Sequence, residues 1–429
     1  MKKSRFAGVS ATVLALVAVT GCSTAPSSSP ADGEQTITFL HPLSNAFTEA
    51  IAAFEEAHPN ISVNEQAVPF DEMIAQTQAR LGSGDTSIDV IAVDPPRLPS
   101  MAHAGWLEDV SDVKSSMDAV ITENGIASVT WGGKQWAYPV WTGDNFLFYN
   151  RALLEEAGVS EPESAPDGRL TWQQLVDDAT AVQASGAAQF GFGFDQVDRY
   201  YALQSIAMSL GAGTGLDGKD NLTADVTTPQ WQEFADWYAS IHKSGLAPVG
   251  IDPAQMPDLF TSGKVAYLVG APTRIGVFQE SGLKDGWGVA PLPYWEGGDI
   301  VTPTDSFSLG VSAYSTKKDA ARMFTEFISL TPEGSSAASA IYNLFPVNKD
   351  ALPVFVERVN GLAADVGTTI ESIFEVDSEY AVRRPGSIGY VDFETSMNKA
   401  FADIRNGADP AGALASSEKQ LNSDLGRFR

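Results

Sequence analysis

Short apolar segments alternate with amphipathic helical segments along this chain, an order that places it in the α/β class. Thr36 to Leu40 reads as a strand, after which Ser44 is expected to cap a helix whose Phe47, Ile51 and Phe54 share one face before His58-Pro59 ends it. A strand around Ile61 to Val68 follows, then a helix with Ile74, Thr77 and Leu81 that stops at Gly82-Ser83-Gly84. Ile88 to Val93 is a nearly continuous apolar run bounded by Asp94-Pro95-Pro96, and continuous apolarity suits a buried parallel strand. Further along, Thr171 and Gln174 have capping-box spacing ahead of Trp172, Leu175, Ala179 and Val182, and Thr228-Pro229 opens a helix that closes at Gly245.

The N-terminus carries a different signal. Lys2, Lys3 and Arg5 precede an apolar run from Phe6 to Val19 that ends in Val19-Thr20-Gly21-Cys22. A basic segment, a short apolar segment and small residues before a cut are the parts of a secretory leader, and the run is too short to span a bilayer comfortably. Those four residues resemble the lipobox of bacterial lipoproteins, which implies loss of residues 1–21 and a diacylglycerol on the Cys22 sulfur; the alternative is an uncleaved anchor helix. Ser23 to Gly33 is rich in Ser, Pro and Ala, so residues 22–34 are expected to form a flexible tether. Cys22 is the single cysteine, so the folded part can form no internal disulfide and depends on core burial.

With 54 acidic against 27 basic residues, the formal net charge is −27. Such a chain is a poor nucleic-acid binder and is repelled by anionic lipid, which leaves the N-terminal lipid as its expected membrane contact. No later segment has the length and apolarity of a membrane helix.

Several segments together are specific. Residues from Thr36 to Val113 resemble the opening of the family 1 extracellular solute-binding proteins, the carbohydrate-binding subunits of ATP-binding-cassette importers. Further matches follow in family order: Trp136-Ala137-Tyr138-Pro139 leading to Phe148-Tyr149-Asn150-Arg151, Phe260 to Val269, Trp287 to Pro293, Ala320 to Ile328 with Phe345-Pro346-Val347-Asn348, Arg384-Pro385-Gly386, and Gly407 to Leu414. The resemblance implies a two-lobed, periplasmic-binding-protein-like fold of type II, each lobe a mainly parallel sheet flanked by helices, closing by a hinge on its ligand. It also implies a membrane permease as partner and a monomer. Crossings are expected near Pro139 to Asp144 and Ile300 to Ser306, giving one lobe of 35–139 with 303–340 and another of 140–302 with 341–429.

In open parallel sheets, ligands bind beyond the carboxyl ends of strands, where loops and helix N-termini present free backbone donors. Sugars offer hydroxyls to polar side chains and C–H faces to aromatic rings. Candidate contacts are therefore Ser44 and Asn45 after the first strand, Asp94 and Arg97 after the third, and Trp141, Thr142 and Asp144 at the first crossing. Asp195 ends the strand Phe190 to Phe194, Arg274 follows Ala266 to Val269, and Asp305 lies at the second crossing. Helix capping is the alternative role for Asp94 and a turn for Asp305.

Of the nine tryptophans, Trp172, Trp231, Trp237 and Trp287 fall in helix or strand patterns and are expected in the core. Trp141, Trp295 and Tyr342 sit at junctions or loops and are the stacking candidates. Family members often carry a tryptophan just after the strand that ends here at Val269, where this chain has Gly270-Ala271-Pro272-Thr273-Arg274 instead. Arg97 and Arg274 either pair with protein carboxylates or clamp an anionic group such as a uronate or a sugar phosphate, because the guanidinium fork matches both.

The competing function class is a secreted glycoside hydrolase, which needs only two suitably spaced carboxylates in a chain with many. No cofactor or metal is expected: the four histidines have no ligand spacing, no Gly-x-Ser-x-Gly elbow occurs, and Gly263-Lys264-Val265 lacks the glycine and Ser/Thr of a phosphate loop. An adhesion or scaffold lipoprotein would call for repeats, and none is found.

Overall fold

The computed structural model describes residues 33–196, 198–283, 286–304, 307–361 and 366–429; the leader, Cys22, most of the tether and Asp305 lie outside them. Two sheets organise the fold. A six-stranded sheet has the order Phe345–Pro346, Tyr138–Thr142, Phe307–Val311, Val90–Val93, Gln35–His41, Ile61–Ala67. A four-stranded sheet has the order Trp287–Pro291, Phe146–Asn150, Val265–Gly270, Phe190–Phe194. Each anchors one lobe.

The expectation of mainly parallel sheets needs correction. Gln35–His41 pairs in parallel with Ile61–Ala67 and Val90–Val93, as helical crossovers require, but Phe307–Val311 is antiparallel to both its neighbours. The reason lies in the connections. Tyr138–Thr142 leads the chain out of the first lobe, and Phe307–Val311 brings it back in the opposite sense. In the second sheet, likewise, Phe146–Asn150 is antiparallel to Val265–Gly270 and to Trp287–Pro291, and only Val265–Gly270 with Phe190–Phe194 is parallel.

Phe345–Pro346 is antiparallel to Tyr138–Thr142 and Asn348 bridges Ile121, so the chain leaves the first sheet after Asn348 and not at residue 340. The first expected helix begins at Thr48, and Ser44 is not its cap. Asn45 adopts a left-handed φ of 62°, which turns the chain once more before Phe47 takes the N-cap position. By contrast, Thr171 and Gln174 form the capping box as read, and Thr228 caps the helix Pro229–Lys243.

Period-two alternation distributes the apolar side chains. In Phe146–Asn150, Leu147 and Tyr149 join a core with Trp172, Phe194, Trp231 and Phe401, while Phe146 and Phe148 join another with Phe278, Trp287, Phe355 and Ile370. The second sheet is thus covered on both faces, its C-terminal helices supplying part of each cover. The first lobe has its own core around Phe39, Phe47, Phe54, Trp141 and Phe324. Among the described residues, no helix is long and apolar enough to cross a membrane.

Candidate functional site

The strand ends bring charged residues of both lobes together. Asp94, just past Val90–Val93, is buried, and Arg384 grips it with both terminal nitrogens: Nη2 donates to Oδ1, and Nη1 donates to Oδ2 at 3.1 Å. Arg97 Nε lies 3.5 Å from the same Oδ2, and its Nη2 donates to Glu394 Oε2 at 2.5 Å. Glu394 Oε1 in turn accepts from Arg384 Nη1 at 3.4 Å and from the Tyr390 hydroxyl at 3.3 Å. The Arg384 guanidinium also lies 5.1 Å from the Tyr201 ring centroid. Glu394 sits on the helix Tyr390–Arg405, which packs in the second-lobe core, so these pairs join lobe to lobe. Neither Arg384 nor Glu394 was a site candidate. Arg384-Pro385-Gly386 was legible as a matched segment, but nothing local to residue 394 predicts a partner 297 positions away.

Arg97 and Arg274 therefore engage protein carboxylates and are not free to clamp an anion. Arg274 Nε donates to Asp195 Oδ2 at 2.8 Å. Asp195 is buried and its Oδ1 has no hydrogen-bond partner; burial pushes its pKa up while the Arg274 charge opposes the rise. Ser44 and Asn45 are exposed, and the Ser44 carbonyl accepts from the Tyr342 hydroxyl at 2.9 Å, which ties Tyr342 to the turn after the first strand. Burial raises the Tyr342 pKa, and Arg274 is near enough to oppose that shift.

The first-crossing residues have structural roles. Trp141 is 2 % exposed, stacked on Phe47 with centroids 5.2 Å apart and packed against Phe307, so its ring belongs to the first-lobe core and presents no face to a sugar. A strand position beside a lobe junction suits either role, and only the ring's neighbours decide. Thr142 Oγ1 lies 2.6 Å from Thr304 Oγ1, which links the outgoing crossing to the returning one. Asp144 accepts at Oδ1 from Thr302 Oγ1 and from the Asn145 N–H at 2.7 Å, while its Oδ2 has no partner. Burial, then the charge of Asp377, raise its pKa well above the usual carboxylate range, so Asp144 is a buried brace between crossings. Trp295 is half-buried; its Nε1 donates to the Ile206 carbonyl at 2.9 Å and its ring meets Trp237 edge-on at 5.2 Å. It too is part of a core.

An open groove of 520 Å³ remains between the lobes, of the size usual for small-molecule sites. Pro96, Pro99, Asn124 and Trp131 line it from the first lobe, and Met208 and Arg383 from the second. Gln204 Nε2 donates to the Arg383 carbonyl at 3.1 Å and Asn221 Nδ2 to that of Gly386 at 3.0 Å, which fixes this segment to the second lobe. Past Asn124, Thr304 and Ala381 it adjoins a second cavity, lined also by Glu123, Asp144, Lys349 and Asp377.

A sequence model described as "Bacterial extracellular solute-binding protein" matches residues 41–333, more than half of the chain. The chain belongs to that family. A Brucella abortus protein is 27% identical over 58% of this chain and 59% of its own length, so the chain spans less than two thirds of that relative. The galactooligosaccharide-binding protein of Bacillus subtilis is 26% identical over 66% of each chain. Among solved structures, an ABC substrate-binding protein from Listeria monocytogenes in complex with cycloalternan superposes with a TM-score of 0.79 at 22% identity, covering 92% of this chain and 99% of that one. At that identity the likeness establishes the fold: two lobes in the manner of the periplasmic binding proteins.

Proposed function

We propose that this protein is the extracytoplasmic solute-binding subunit of an ATP-binding-cassette importer, which captures a mono- or oligosaccharide between its lobes and hands it to a membrane permease. The observation that carries this reading is the inter-lobe groove, where Trp131 and proline faces offer apolar surface beside Asn124, Ser128, Thr130 and Thr304 as hydrogen-bonding groups. Relatives that bind oligosaccharides support the ligand class. The lobes turn on the crossings braced by Thr142 with Thr304 and Asp144 with Thr302, with residues 341–348 joined to the first lobe. A diacylglyceryl group on Cys22 holds the body outside the membrane, and the protein acts as a monomer without cofactor or turnover. A glycoside hydrolase would need two carboxyl groups flanking the bound sugar; the adjoining cavity offers Glu123, Asp144 and Asp377, of which Asp144 is engaged by Thr302 and Asp377 by Arg169.

A thermal-shift screen of mono- and oligosaccharides tests the proposal. A cognate sugar at 100 times its Kd stabilises the folded protein by roughly 2.7 kcal/mol, which a melt resolves readily. A full panel with no shift counts against a carbohydrate ligand.

A further inference from the structure

We propose that the groove takes an acidic carbohydrate, and that Arg383 receives its carboxylate or phosphate. This deepens the carbohydrate-binding reading and rests on it.

The chain holds two acidic residues for each basic one, so its guanidinium groups have abundant partners. Around the cleft they use them: Arg384 holds Asp94, Arg97 holds Glu394, Arg274 holds Asp195, and Arg169 holds Asp377. Arg383 differs. Its Nη1 donates to the Asn124 carbonyl at 3.3 Å, across from one lobe to the other, and no carboxylate among the described residues pairs with it. A guanidinium has five N–H donors, so most of its donor capacity remains for a ligand. Its side chain is exposed in the open groove, and what desolvation it meets there draws its pKa below the ordinary arginine value with no opposing carboxylate.

The lining around Arg383 is the second observation. Arg383 and Arg384 both line it, whereas the acidic residues Glu123, Asp144 and Asp377 line the adjoining cavity beyond Asn124 and Thr304. Arg384 in this lining is held by Asp94, so the charge that the groove offers a ligand is that of Arg383, and field focusing in a cleft favours an anion beside it. Asn124, Ser128, Thr130 and Thr304 leave neutral hydrogen-bonding groups for hydroxyls, and Trp131 leaves a ring edge or face for C–H groups. That combination matches a uronate or a sugar phosphate better than a free inorganic anion, for which the apolar walls would serve no purpose.

The test is titration calorimetry of the purified protein against paired probes: oligogalacturonates beside neutral galacto-oligosaccharides of equal length, glucose 1-phosphate beside glucose, and inorganic phosphate alone. The expected result is that one acidic saccharide binds at least tenfold tighter than its neutral counterpart, with the advantage shrinking as salt is raised. The arm that responds identifies carboxylate or phosphate as the group recognised. Arg383→Gln should weaken that acidic ligand at least tenfold and close the gap to the neutral probe, with Arg383→Lys intermediate. Melting curves check that both variants fold. Neutral saccharides binding as tightly as acidic ones, an unaltered preference in Arg383→Gln, or binding of phosphate alone would overturn the inference and leave solute binding in place. No binding of any saccharide, acidic or neutral, would overturn the carbohydrate reading itself.

Discussion

Replacing Trp141 by alanine distinguishes a core tryptophan from a sugar-stacking one. The ring is 2 % exposed and stacks on Phe47, with Phe307 on its other flank, so its removal leaves a cavity at the centre of the first-lobe core. Truncations of this kind cost about 3–5 kcal/mol, the spread reflecting how far the surroundings collapse. For a domain of the size of one lobe, each kcal/mol shifts the melting temperature by roughly 2–4 °C, so the first-lobe transition should fall by about 6–20 °C. Trp141→Phe keeps an aromatic ring against Phe47 and should lose less. Scanning calorimetry of the unliganded protein gives the shift, and titration of the cognate sugar at a temperature where the variant is folded gives affinity. The account predicts a large loss of stability with affinity per folded molecule close to that of the parent. A melting temperature within about 2 °C of the parent, together with lost binding, would refute the packing argument and restore Trp141 to the ligand site.

Arg384→Gln leaves the buried Asp94 with Arg97 as its remaining cation at 3.5 Å, and breaking a buried pair in this way costs about 3–5 kcal/mol; urea unfolding of the single and double variants with Asp94→Asn reads the coupling. Burial holds the His242 pKa down, at about 4 against 6.5, and its Nδ1 is satisfied by the Pro248 carbonyl at 3.1 Å. The unfolded chain therefore takes up the proton first, so stability falls as pH drops from 6.5 towards 4, by about 3 kcal/mol from this residue; His242→Gln should flatten the slope, and a pH series of urea melts that leaves it unchanged would contradict the assignment. Cys22→Ser should release the protein from washed membranes while leaving the melting temperature unaltered, with the mass of the product reporting whether the leader was cut.

What was legible in the sequence was local. Thr171 and Gln174 announce a helix start because a capping box is satisfied within four residues, and the run from Ile88 to Val93 stands out because a strand buried on both faces, here Val90–Val93, is continuously apolar. Pairings between residues distant in sequence were not legible. Arg97 and Arg274 carry the same fork whether it meets a ligand or a protein carboxylate; Glu394 reaches Arg97 only because the lobes meet there, and Asp195 reaches Arg274 only because Phe190–Phe194 and Val265–Gly270 are neighbours in one sheet. Trp141 lies in a strand whose two faces are both covered, so its position beside the crossing misleads about its surroundings. Arg383 went unnoticed for the converse reason, since the absence of a partner is visible only once its neighbours are placed.

The central claim, that the protein binds a carbohydrate between its lobes without changing it, is tested most directly by titration calorimetry across the saccharide panel. The account predicts saturable heats with one site per chain for a cognate sugar, and a flat baseline after saturation. A steady heat that persists until the sugar is consumed would reveal turnover and contradict the account, as would the absence of binding to every saccharide tried.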